Sequence, residues 1–118
     1  VSDTVQVDTQ LLQTVPQLPE IVDRLVRRFD PLRIILFGSW ARGDTHRWSD
    51  VDLLMVLPEA PFEDKIELMV DALNTVSDLP VAKDIIVTDP DEIARRGQII
   101  GTVLRPALRE GKVVYERA

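Results

Sequence analysis

Cysteine is absent from the 118 residues, which excludes disulfides, Cys-ligated zinc and a thiol nucleophile. Histidine occurs once, at His46, so a His-based metal site or a Ser-His-Asp triad is disfavoured. Basic charge is scarce as well. Fourteen Lys and Arg face twenty Asp and Glu, for a net charge of -6 and a pI near 4.7. That balance argues against a broad basic surface gripping nucleic acid. No apolar run approaches the roughly 20 residues that span a bilayer, so no membrane association is expected. Val1 to Gln10 shows no basic patch followed by an apolar core, so no signal peptide is expected there. Together with the missing cysteines, this fits a cytoplasmic location.

What is present describes a folded globule. Hydrophobic residues make up 45% and charged residues 29%, outside the range of disordered chains. The length suits one domain. Residues 1–17 show no sustained period and read as an N-terminal extension or docking arm, leaving 18–118 as the domain. After Pro19, the residues Ile21, Val22, Leu25, Val26 and Phe29 recur at helical spacing, and Pro31 breaks the pattern. Leu32 to Phe37 is a short apolar run, read as a buried strand. Gly38-Ser39 ends it, a helical turn is expected over Trp40 to Arg42, and Asp44 to Ser49 reads as a loop. Val51 to Leu57 is a second buried strand closed by Pro58.

Phe62, Ile66, Met69, Val70, Leu73 and Val76 form one helical stripe, expected to be core. Val81 to Thr88 reads as a third strand. Asp89-Pro90-Asp91-Glu92 has the form of a helix start, with an N-cap, a proline at N1 and an acid at N3. Gly97 is expected to interrupt that helix. Ile99, Ile100, Val103, Leu104, Ala107 and Leu108 then resume helical spacing, with Pro106 expected to kink the helix or end it early. Lys112 to Tyr115 reads as a small edge strand after Gly111. The order α-β-β-α-β-α-α-β predicts an α/β fold of the α+β type, a small mixed sheet flanked by helices.

The acids carry the chemistry. Asp50 and Asp52 stand one pleat apart where the loop enters the second strand, so they point the same way. Two adjacent carboxylates repel unless a cation lies between them, and hard oxygen ligands suit magnesium with substrate phosphates. An Asp-x-Asp alone is more often a solvated strand end. Asp84 adds weight, because it lies within the apolar run Val81 to Val87. A buried carboxylate there needs a cation, a hydrogen-bond network or an exposed strand edge. On the other side, Gly38-Ser39 follows a strand and opens a helical turn, where free backbone N–H groups receive a phosphate. Arg42 stands three residues on, within reach of the same group. An ordinary strand-to-helix turn would use Gly and Ser for turn chemistry alone.

The stretch GSWARGDTHRWSDVDLLMV, with Gly38-Ser39 set ten residues before Asp50-Val51-Asp52, resembles the signature of the DNA polymerase β-like nucleotidyltransferase superfamily. It is most similar to the superfamily's smallest branch, the minimal nucleotidyltransferase (MNT) domains. The resemblance runs from about Leu32 to Tyr115 and includes Asp84 and the ending LREGKVVYE. It implies that Gly38 and Ser39 hold a triphosphate with Arg42 as helper. Asp50 and Asp52 would bind two magnesium ions, with Asp84 completing the metal and catalytic site beside the nucleophile. It further implies an antitoxin that transfers AMP from ATP to a tyrosine of a HEPN-domain ribonuclease toxin. A hetero-oligomer with that toxin and no stable nucleic-acid binding are then expected.

Two other functions compete. One is an antitoxin that neutralises by contact alone, against which the complete set of three acids counts. The other is an adenylyltransferase acting on a small molecule, which would need an acceptor pocket from a second chain. Among the remaining conspicuous residues, His46 and Trp48 lie in the loop between the motif halves, and solvation is the simpler reading of His46. Trp40 either stacks on a base or, more commonly after a strand, packs against the sheet. Arg95 and Arg96 suit a helix C-terminus. Arg105, Arg109 and Lys112 make a sparse basic face.

Overall fold

The computed structural model describes residues 6–44 and 49–118. Helix α1 (Thr9–Thr14) is a short turn-and-a-half capped by Asp8, whose Oδ1 accepts the Leu11 N–H at 3.1 Å. Helix α2 (Leu18–Phe29) follows, with Leu18, Ile21, Val22 and Leu25 buried along one side. It ends where Asp30 adopts a left-handed conformation before Pro31. Proline then forbids further helix and sends the chain into strand β1 (Arg33–Phe37).

One turn of helix, α3 (Ser39–Arg42), follows β1. Strand β2 (Val51–Val56) runs back antiparallel to β1, with Phe37 opposite Asp52 and Arg33 opposite Val56. A 3-10 turn at Phe62–Asp64 leads into α4 (Lys65–Thr75), which crosses over to strand β3 (Lys83–Thr88). β3 pairs parallel to β2, as a helical crossover requires. Helices α5 (Pro90–Arg96) and α6 (Leu104–Glu110) precede strand β4 (Lys112–Glu116), which lies antiparallel to β1. The sheet order is β3-β2-β1-β4. The mixed sheet flanked by helices is the fold class expected from the element order.

Alternation along β2 divides the packing. Val51, Leu53 and Met55 join α2 and α4 in the larger core, with Ile21, Leu25, Ala72 and Val76. Leu54 faces the other way, onto Ile35, Leu104 and Ala107 under α6. Asp52 shares the face of Leu54, so the acids emerge on the α6 side of the sheet.

Three expectations need correction. The α4 stripe is core only in part: Met69, Leu73 and Val76 pack inward as expected, with Leu68 and Ala72 beside them, while Phe62, Ile66 and Val70 are exposed. These inward residues make the face that meets the core. At the start of α4 the Lys65 ammonium pairs with Glu92, which also accepts the Thr88 hydroxyl.

The run Ile99–Val103 is not helical. α5 ends at Gly97, Gly101 takes a φ of +97°, and α6 begins only at Leu104. Pro106 therefore sits in a first turn, where its missing N–H costs nothing, and it produces neither kink nor stop. Ile99, Ile100 and Val103 are exposed. Third, β3 starts at Lys83 rather than Val81. Of the alternatives for Asp84, the exposed strand edge is the one observed. Residues 1–17, read as an extension or docking arm, contain α1.

The α5 start is as the sequence reads. Asp89 accepts the Glu92 N–H at 2.8 Å, and its other oxygen accepts the Ala60 N–H at 2.8 Å. Among the described residues, no helix is long and apolar enough to cross a membrane.

Candidate active site

Gly38 makes the site possible. Its φ of +76° and ψ of −155° are open only to glycine. A side chain there would collide with the Asp52 carboxylate, because Gly38 lies directly against Oδ2 of that residue. The antiparallel pairing of Phe37 with Asp52 sets this approach. One residue beyond the strand, the backbone turns across the mouth of the neighbouring strand. Gly38 then serves as N-cap of α3, its carbonyl accepting the N–H groups of Ala41 and Arg42, each at 3.1 Å. The first amides of such a turn have no partner within the helix. Gly43, at a φ of +83°, closes it.

The three acids come together through strand register. Asp52 and Asp84 are direct partners on parallel neighbours β2 and β3, so both side chains emerge on one face. Asp50 lies one pleat before Asp52, just outside the strand, and is exposed. The electrostatics report the same grouping. Partial burial pushes the Asp52 carboxyl above its ordinary value, and the charges of Asp50 and Asp84 push it further up. The guanidinium of Arg42 pulls in the opposite direction. This is a carboxylate held among like charges, an arrangement that a cation relieves. Among the described residues, no three acidic or histidine side chains close into a ready metal cage. The pattern instead suits an open site in which carboxylates supply part of a shell and phosphate oxygens the rest.

Arg42 is turned toward carboxylates. Its Nε lies 3.2 Å from Asp44 and its Nη1 3.8 Å from Glu110 at the end of α6. Glu110 escaped the sequence reading because nothing local ties it to residue 42; only the return of α6 to the sheet edge does. Trp40 packs against the larger core rather than lying free, and among the described residues its buried indole N–H has no hydrogen-bond partner. Ser39 is half-buried in the first position of α3. His46 and Trp48 fall outside the described residues. Arg95 and Arg96 occupy the last turn of α5.

A glycine turn laid on an acidic strand pair, on a small mixed sheet, defines the nucleotidyltransferase class of site. The sequence places the chain in that class independently: it belongs to the nucleotidyltransferase domain family, whose model matches residues 18–107. A curated relative from Methanocaldococcus jannaschii, named "putative protein adenylyltransferase", is 39% identical over 56 residues. The match covers 46% of this chain and 37% of the relative, so the chain spans little more than a third of that protein.

Among solved structures, a "putative nucleotidyltransferase" from Sulfolobus solfataricus is similar at a TM-score of 0.56 and 24% identity. It covers 99% of this chain and 94% of its own. A toxin–antitoxin structure with AMP-PNP is similar at a TM-score of 0.50 and 22% identity, over 83% of this chain and 73% of its own. At these identities the solved structures establish the shared fold.

Proposed function

We propose that the chain is a magnesium-dependent nucleotidyltransferase that moves AMP from ATP to a tyrosine hydroxyl of a HEPN ribonuclease toxin, neutralising it as an antitoxin. The observation that carries the catalytic reading is the register pairing of Asp52 with Asp84, with the Asp52 carboxyl pushed up by the charges beside it. The similarity to a protein adenylyltransferase supports a protein acceptor. The similarity to a toxin–antitoxin structure with AMP-PNP supports ATP as donor and a toxin as partner.

In this reading Gly38 and Ser39 present backbone N–H groups and a hydroxyl to the triphosphate. Arg42 exchanges its carboxylate partners for phosphate oxygens, a geometry that suits a guanidinium. Asp50, Asp52 and Asp84 hold two magnesium ions, which when bound would lower the pKa of the attacking hydroxyl and neutralise charge on pyrophosphate. Asp84, the exposed member of the register pair, stands where an acceptor approaches. The acceptor hydroxyl loses its proton to water as its oxygen forms a bond to the α-phosphorus, and the bond to the bridging oxygen breaks, releasing pyrophosphate. The chain's own work is orientation and charge placement.

The test is incubation with α-phosphate-labelled ATP, Mg²⁺ and source-cell extract, alongside an Asp52→Asn variant. Label in one protein band, dependent on Asp52, is expected, and mass spectrometry then identifies the acceptor. Label confined to a small molecule would overturn the protein acceptor. Toxin neutralisation unchanged by Asp52→Asn would show that contact suffices.

A further inference from the structure

We infer that residues Asp8–Val15, which precede the stretch matched by the family model, form a strap that sets the position of the α3 turn, with Leu11 as a positioning residue. The inference rests on the reading that this turn holds the triphosphate. α3 is one turn long, and an isolated turn has no stability of its own. Glycines at positive φ bound it on both sides, so the backbone does not fix its angle. Its place must come from what its side chains touch. Trp40 and Ala41 pack into the larger core together with Leu11 and Leu12 of α1. Among the described residues the Trp40 indole N–H has no hydrogen-bond partner, and the ring packs against the core.

The strap is anchored at both ends. The Asp8 N–H donates to the Val113 carbonyl of β4 at 2.8 Å, and the Asp8 side chain caps α1. At the other end Val15 is only 3% exposed, seated in the core. Between these anchors, α1 and α3 form two walls of one cleft of about 280 Å³. Leu11 and Thr14 stand on one wall, and Trp40, Arg42 and Gly43 on the other. A displaced α1 would remove the wall of the cleft that faces α3. Ser39 and Arg42 would then lose their alignment with Asp52, while the acids, held by the sheet, would stay in place.

The test uses the full chain with Leu11→Gln, and Phe29→Ala as a control. Phe29 packs on the same core from the end of α2, beside the start of β1 and away from Gly38. Hydrogen exchange is followed at the Ala41, Arg42 and Gly43 amides, which bond to the Gly38 and Ser39 carbonyls. Leu11→Gln is expected to speed exchange at these amides at least about tenfold, a loss of about 1.4 kcal/mol of local protection. It should weaken Mg²⁺·AMP-PNP binding in proportion. Phe29→Ala should lower the melting temperature without either effect. Should Leu11→Gln not fold, Asp8→Ala, which removes only the cap, is expected to move both readouts the same way by less. Unchanged exchange at 41–43 would overturn the strap. Faster exchange in a protein whose wild type binds no Mg²⁺·AMP-PNP would instead overturn the phosphate reading of the turn.

Discussion

Gly38 and Asp52 share one space: the carboxylate of Asp52 lies where any side chain at position 38 would project. The glycine is therefore a condition for the acid's position as well as for the turn. Both effects follow from the pairing of the last residue of β1 with the second residue of β2.

Gly38→Ala should be costly on two counts. The backbone conformation alone costs about 1–3 kcal/mol for a non-glycine residue, and Asp52 must move to admit the methyl group. The melting temperature should fall by about 4 °C or more, with nucleotide transfer lost. Gly43→Ala carries the backbone strain without a collision among the described residues, none of which lies within 4 Å of its absent Cβ. It should destabilise the protein and weaken activity less. Thermal melts and labelled transfer measure both.

Asp52→Asn should stabilise the metal-free protein while abolishing transfer. The folded Asp52 carboxyl is raised by burial and by Asp50 and Asp84, so its ionised form is disfavoured in the native state. Its stability contribution is present at low pH and is lost as pH rises through the folded value. Wild type should therefore gain stability relative to Asp52→Asn as pH falls through the folded value of Asp52. Millimolar Mg²⁺ should narrow the gap between the two at pH 7.

The Lys65–Glu92 pair gives the opposite pH sign. Although partial burial pushes Glu92 up, the Lys65 ammonium and the Thr88 hydroxyl bring it below its usual value. Asp89 is likewise lowered, burial being outweighed by the N–H groups of Glu92 and Ala60. Their stabilisation holds above the unfolded values and is lost as pH falls through the folded ones. Glu92→Gln should cost about 1–3 kcal/mol at pH 7, and the difference from wild type should shrink towards pH 3. Urea unfolding across that range is the measurement.

The exposed face of α4 separates two substitutions that look alike in the sequence. Ile66→Gln should change stability by no more than about 0.5 kcal/mol, because Ile66 is 71% exposed. Ala72→Gln, at a fully buried position, should cost about 1–3 kcal/mol through overpacking and an unmet amide. Denaturant melts decide both.

Element type was readable wherever periodicity and punctuation agreed. Pro31 and Pro58 bound the strands, the Asp89-Pro90 pair opens α5, and the mixed sheet followed from element order. The α4 stripe failed in part because periodicity gives a face and not the neighbour it meets. Phe62, Ile66 and Val70 satisfy helical spacing, yet Leu68 and Ala72 take the inward positions beside Met69, Leu73 and Val76. Ile99 to Val103 failed for a related reason, since two glycines unwind a run whose spacing is helical.

At the site, the Gly38-Ser39 and Asp50-Val51-Asp52 motifs were visible as local patterns. The pairing of Asp84 with Asp52 was available only as a condition on strand neighbours, and the parallel β2-β3 register meets it. Asp84 reaches the cluster from an exposed edge, not from burial. The contacts of Arg42 with Glu110 and of Trp40 with the α1 region depend on chain returns that no window of sequence contains.

The central claim is that the acidic strand pair and the glycine turn form one metal–nucleotide site. Calorimetric titration of AMP-PNP measures this directly, with and without Mg²⁺, on wild type, Asp52→Asn and Asp84→Asn. The account predicts binding by wild type only with Mg²⁺, weakened at least about tenfold, or 1.4 kcal/mol, in each variant. Binding of equal strength without the metal, or undiminished in both variants, would contradict it.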